Sequence, residues 1–160
     1  MCIRDRYFDI GHGCGSFSWD SARKAFEHHF YPDTISTDLH RYCAAEPLSV
    51  TLPDVMSKML CLGMSLEDAV LKTTVTPARA LGMEHKLGTL KPGSVADIFV
   101  FDFETGDFTF VDTHLKTRKG TRRIVPALVL KQGKVHIPGT VPVRLRQLYA
   151  SDDDIFRAIG

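Results

Sequence analysis

The chain has no excess of charge of either sign. Twenty Lys and Arg stand against nineteen Asp and Glu, a net charge of +1. That removes the electrostatic ground for a nucleic acid or an anionic membrane as partner. No apolar run approaches the roughly 18 residues needed to cross a bilayer. The opening Met1-Cys2-Ile3-Arg4-Asp5-Arg6 is too short and too charged to read as a signal peptide. No Cys-x-x-Cys occurs. The cysteines, at 2, 14, 43 and 61, are too scattered for a structural zinc knot, and they read as free thiols of a reducing cytoplasm. There is no internal repeat and no low-complexity stretch. No His-x-His pair occurs anywhere, and no Lys or His precedes His12.

What is there is foldable. A chain of 160 residues, 44% hydrophobic and 24% charged, has the length of one domain and enough apolar side chains for a core. Its character changes near residue 90. From about 7 to 83 short strands alternate with helices, and from about 95 to 137 strands and turns dominate. Tyr7-Phe8-Asp9-Ile10 reads as a strand and breaks at Gly11-His12-Gly13-Cys14-Gly15-Ser16. A helix is predicted over Trp19–His29, with Ser18 at its N-cap. Thr34-Ile35-Ser36-Thr37-Asp38 reads as a β-branched strand ending in a carboxylate.

Thr51 with Pro53 opens a helix that stops at Gly63, and Val55, Met56, Met59 and Leu60 form its core-facing stripe. Ser65 with Asp68 resembles a capping box, and Thr76-Pro77 starts a short helix closed by Gly82. Further on, Asp97–Phe103 and Phe108–Val111 read as two strands separated by a Thr-Gly-Asp turn. Ile124–Leu130, Gln132-Gly133 and Lys134–Ile137 read as a hairpin. The tail after Pro138, with Arg144, Arg146 and Asp152-Asp153-Asp154, reads as a frayed or helical end without chemistry.

Asp38 is the leading chemical candidate. In βα architectures the C-terminal end of a strand faces the ligand, and a carboxylate there suits a metal or a proton transfer. The same residue would serve equally as a turn or helix cap. His12 sits between glycines that let the backbone approach a ligand closely, Gly13 among them. It reads either as a ligand-facing or as a solvated loop histidine. The glycine spacing is neither the dinucleotide fingerprint nor a P-loop. His40 follows Asp38 by two, so on an extended segment both would point to one side. His28-His29 read as the polar end of a helix.

Taken in order, these segments resemble a family. Phe8-Asp9-Ile10-Gly11-His12-Gly13-x-Gly15-Ser16-Phe17, followed by Pro32-Asp33-Thr34-Ile35-Ser36-Thr37-Asp38-Leu39-His40, is similar to the late barrel strands of the amidohydrolase superfamily, in its dihydroorotase-like deacetylase branch. Thr73–Gly82 resembles the helix after the barrel, and Leu87–Ile98 the return into a small β-sandwich. The resemblance implies an α/β fold: the last two βα units of a (β/α)8 barrel over 7–86, then β-sandwich strands over 87–137. It leaves 1–6 as an unrelated start and 138–160 as a tail.

The resemblance also implies a metal-dependent hydrolase of amide, cyclic amide or N-/O-acyl bonds. Asp38 would bind the metal and accept a proton from the attacking water. His12, Gly13 and His40 would contact substrate. The cofactor it implies is a divalent metal, zinc first, as one or two ions. The implied partners are a small-molecule substrate and, for a full-length parent, further copies of itself. With no His-x-His, the remaining metal ligands are missing, so the chain is expected to be an inactive C-terminal part with exposed apolar faces and open sheet edges. A self-contained binding or regulatory module is the alternative, and a nucleotide-binding βα domain a distant third.

Overall fold

The computed structural model describes residues 6–13, 15–40 and 50–136. The tail after Pro138, the first five residues and Cys2, Cys14 and Cys43 lie outside the described residues. Cys61 is a free thiol.

The first layer is a βαβ unit. Strands β1 (Asp9–Ile10) and β2 (Thr34–Ile35) pair in parallel, Asp9 opposite Thr34 and Ile10 opposite Ile35. Helix α1 (Trp19–Glu27) crosses between them. Both strands are shorter than the sequence suggests. The Asp9 carboxylate ties them side to side, accepting from the hydroxyls of Thr34 and Ser36. Ser18 does occupy the N-cap of α1, but its hydroxyl makes no capping bond. The carboxylate of Asp112, far along the chain, accepts from the Trp19 N–H instead, at 3.1 Å. An anion at a helix N-terminus satisfies a donor that has no partner within the helix.

Three helices follow: α2 (Leu52–Cys61), α3 (Leu66–Thr73) and α4 (Val75–Ala80). The Asp54 carboxylate accepts from the Thr51 N–H and hydroxyl at the start of α2. At the start of α3 the Asp68 N–H donates to the Ser65 hydroxyl, which donates in turn to the Asp68 carboxylate. Val55, Met56 and Met59 are buried as their spacing implies, and Leu60 is half-buried. Ser57 and Lys58 between them are buried as well, because a sheet covers the flank of the helix that the stripe leaves open.

That sheet is antiparallel, in the order β3-β4-β5, with β3 at Ile98–Val111, β4 at Thr117–Lys131 and β5 at Lys134–His136. Here the sequence expectation needs correction. Thr105-Gly106-Asp107 is no turn between two strands. It is an irregularity inside one strand, where the register shifts between the Thr105–Arg122 and Phe108–Gly120 pairs. A bulge absorbs an extra residue and twists the ribbon without ending it. A second shift, between Val100 and Phe101, falls where Pro126 faces Phe101. Proline has no N–H to give to a ladder and is tolerated at such a place. The hairpin at Gln132-Gly133 has positive φ at both residues, 49° and 75°, as a two-residue turn between twisted strands requires.

One core joins these parts. Phe17, Trp19 and Ala22 from the βα unit meet Ile35, then Val55, Met56 and Met59 of α2, Ala69 of α3, and Phe110 and Ile124 of the sheet. Ile35 is buried and Ile10 half-buried, while Phe8, Phe30 and Tyr31 near them stay exposed. Phe99 and Val100 are exposed on β3, an edge of the sheet.

Ser57 is the polar link in this core. Its hydroxyl donates to the Pro53 carbonyl at 2.7 Å and accepts from the buried Ile124 N–H at 3.0 Å. Ser57→Ala leaves that N–H without a partner, which costs about 1–3 kcal/mol. Urea unfolding of the variant should show a loss in this range.

Candidate active site

The loops that leave β1 and β2 meet at the same edge of the parallel pair. The N–H groups of His12 and Gly13 both donate to the Thr37 carbonyl, at 3.1 and 3.0 Å. Ser36 N–H donates to the Ile10 carbonyl at 3.0 Å. These bonds lash the glycine loop onto the segment carrying Asp38.

Asp38 has a left-handed backbone, with φ at +49°. Asp is among the few non-glycine residues that tolerate this region. Its side chain is exposed and lies against the glycines. A Cβ added at Gly11 would come within 2.6 Å of the Asp38 Cβ. A Cβ at Gly13 would collide with the Asp38 carboxylate and sit 2.9 Å from the Ser16 Oγ. The Ser16 hydroxyl donates to the Asp38 Oδ2 at 2.9 Å. Asp38 and Gly13, both candidates from the sequence, are therefore brought into contact.

The left-handed turn has a second consequence. Strand β2 ends at Ile35, so the extended alternation that would align His40 with Asp38 does not run through this segment. His40 is exposed two residues beyond it.

His12 is placed differently. Its ring is buried, 1% exposed, and stacks on Phe17 at 5.7 Å between centroids. Nδ1 lies 3.0 Å from the Gly13 carbonyl and Nε2 3.3 Å from the Val111 carbonyl. Burial lowers its pKa below the usual 6.5, and the charge of Lys58 lowers it further. A neutral ring carries one N–H, so one of the two carbonyls receives it. To touch a substrate the ring would first have to leave these partners.

Sequence reasoning missed the buried polar group behind the loop. Lys58 is 2% exposed. Its ammonium donates to the Val111 carbonyl at 2.6 Å and lies 5.3 Å from the Phe17 ring centroid. Burial brings its pKa down to about 8, against the opposing pull of Asp54 and Asp112. Asp112 is wholly buried. Burial raises its carboxyl pKa, but the N–H groups of Trp19, Lys116 and His114 outweigh that and hold it below the ordinary value. The one hint in the sequence was a lysine beside the apolar stripe of α2. Periodicity alone reads such a residue as solvated.

Among the described residues, no three His, Cys, Asp or Glu side chains come together as a metal site would need. One carboxylate falls short of the four donors a zinc ion takes, so these residues do not by themselves fit a metal ion.

A carboxylate beyond the C-terminal end of a parallel strand, backed by a glycine loop from the neighbouring strand, stands at the edge where open α/β sheets bind ligands. Comparison with known proteins gives the family. Residues 18–136 match the model of the amidohydrolase family, and the chain belongs to it. It is 37% identical over 108 residues to a deacetylase of Brucella anthropi, covering 66% of this chain and 26% of that protein. It is 29% identical over 129 residues to a deacetylase of Enterococcus faecalis, covering 81% of this chain and 35% of that one. Among solved structures, an adenine deaminase superposes with a TM-score of 0.77 at 27% identity, and a dihydroorotase with 0.73 at 30%. Each match covers 82% of this chain and 35% of the other. The chain thus spans about a third or less of the relatives it matches.

Two outcomes are expected. Gly13→Ala places a Cβ at positive φ and against the Asp38 carboxylate, and should cost about 1–3 kcal/mol in urea unfolding. Gly15→Ala, whose Cβ would meet nothing within 4 Å, should be close to neutral. For Lys58, folding favours the uncharged amine. Below about pH 8 the penalty for burying the ammonium is fully present. Stability should rise from about pH 8 to 10.5, the window between the folded and ordinary values. Lys58→Met should flatten that rise in a pH series of thermal melts.

Proposed function

We propose that the chain is the C-terminal part of a metal-dependent hydrolase of amide, cyclic amide or N-/O-acyl bonds. The observation that carries this reading is Asp38, fixed beyond the end of a parallel strand with the loop from the neighbouring strand folded against it. The deacetylase relatives and the deaminase and dihydroorotase neighbours support the reaction class. In this reading residues 7–86 are the end of a (β/α)8 barrel with its trailing helices, and 87–137 are strands of a small β-sandwich. The exposed Phe8, Phe30, Tyr31, Phe99 and Val100 are faces that the rest of such an enzyme would cover.

The chemistry of Asp38 in this reading is proton transfer. The carboxylate takes a proton from the attacking water as its oxygen bonds to the carbonyl carbon. It then gives that proton to the departing nitrogen or oxygen as the C–N or C–O bond breaks. Gly13 and His40 flank the same edge and are proposed to meet a small-molecule substrate. His12 is proposed to act from behind, holding the loop. Asp38 is the one ligand the described residues would give to a divalent ion, zinc first, and the others would come from the preceding part of the parent. The isolated chain is therefore proposed to be inactive. A reducing cytoplasm suits the free Cys61.

The test compares this chain with a version extended to its full upstream reading frame, both dialysed against zinc. The extended chain should hold stoichiometric zinc, unfold cooperatively and hydrolyse a panel of N-acetyl amino acids. Asp38→Asn should cut that hydrolysis by about 10²-fold or more, the scale of general acid–base catalysis. If Asp38→Asn stays active, Asp38 loses its part in the chemistry; if the extended chain binds no more metal than the 160-residue chain and hydrolyses nothing, the hydrolase reading fails. A self-contained module then takes its place.

A further inference from the structure

We infer that Ser16 is a positioning residue for Asp38: its hydroxyl selects the side-chain rotamer that sets the carboxylate where the hydrolase reading places the reacting water. The inference rests on that reading and adds a residue to it. The staggered well an aspartate takes about Cα–Cβ decides where its carboxylate stands. On an exposed residue a hydrogen-bond partner selects that well. The Ser16 hydroxyl donates to Oδ2 at 2.9 Å, a charge-assisted bond of the stronger kind. The same oxygen lies against the bare Cα of Gly13, where a side chain would displace it.

The donor is itself held in place. Ser16 N–H donates to the His12 carbonyl at 3.3 Å, closing the loop into a turn, and that turn hangs from the Thr37 carbonyl by two N–H bonds. Thr37 is the residue just before Asp38. Donor and acceptor thus ride on one hydrogen-bonded frame, so their separation is set by backbone and not by a flexible stem. Packing does not account for Ser16, since the residue is exposed. What it brings to this place is the hydroxyl.

The test uses Ser16→Ala and Ser16→Thr, the second of which keeps a hydroxyl. In the 160-residue chain, the Hα–Hβ couplings of Asp38 measured by NMR should show one side-chain rotamer for wild type. Averaged values are expected for Ser16→Ala, and a return to one rotamer for Ser16→Thr. Unchanged amide shifts in α2 and the sheet would show that the fold persists.

In the zinc-loaded extended enzyme, with N-acetyl amino acids as probes, Ser16→Ala should lower kcat by about 10- to 100-fold, as a misaimed group does. KM should stay within about twofold, and Ser16→Thr should recover most of the rate. Ser16→Ala with a single Asp38 rotamer and full kcat overturns the inference, even while Asp38→Asn still abolishes activity and the hydrolase reading stands. If instead Asp38→Asn proves active, the proton-transfer role of Asp38 falls while the hydrolase reading stands. The couplings alone then decide whether Ser16 aims the carboxylate, and averaging that Thr does not reverse counts against it.

Discussion

The end of strand β3 is the point on which the rest of this molecule hangs. Over three residues, the chain at 111–113 exchanges bonds with α2, the glycine loop and the start of α1. The Val111 carbonyl takes the Lys58 ammonium from α2 and faces Nε2 of His12. The Asp112 carboxylate takes the first N–H of α1. Thr113 donates both its N–H and its hydroxyl to the Phe17 carbonyl. A polar cluster this deeply buried is stable only when its members are satisfied, because an unpaired group in a low-dielectric interior costs more than a bond gains. The constraint therefore works in both directions. The sheet fixes where the βα unit docks, and the βα unit supplies the partners that let the sheet bury its end.

The candidate site stands one step outward from this hub. His12 is buried against Val111, and the backbone of His12 and Gly13 then reaches forward to Thr37. Two glycines make the approach to Asp38 close enough that a side chain at either would intrude. The carboxylate sits on a left-handed turn and on the surface, so its placement owes little to apolar burial. It owes much to backbone bonds whose far ends are anchored in the core. This is how a short, exposed loop on a two-residue strand pair can hold a carboxylate in place.

Much of the frame was legible in the sequence because local chemistry and tertiary structure agree there. Thr51 with Pro53, Ser65 with Asp68, and Gln132-Gly133 each form the helix start or turn their types specify. Met56 and Met59 are buried as their spacing implies. Where local signals misled, a neighbour had overridden them. Thr105-Gly106-Asp107 has the composition of a turn, yet the partner strand carries β3 straight through it as a bulge. Lys58 has the composition of a solvated residue, yet a carbonyl from the sheet gives its charge somewhere to go. Ser18 stands at the helix start, yet Asp112 does the capping.

The sequence by itself determined most of the elements in their order, the family through the resemblance its motifs carry, and Asp38 as the residue to examine. These follow from periodicity, turn chemistry and the order of motifs, all of which are local properties or sums of them. Only the tertiary structure decided which face each residue would show. His12 turned inward because Val111, ninety-nine positions away, brought it a carbonyl. Asp38 and Ser16, twenty-two positions apart, became partners because two parallel strands end side by side. Pairings over such separations depend on how elements pack against one another, and no window along the chain contains that information.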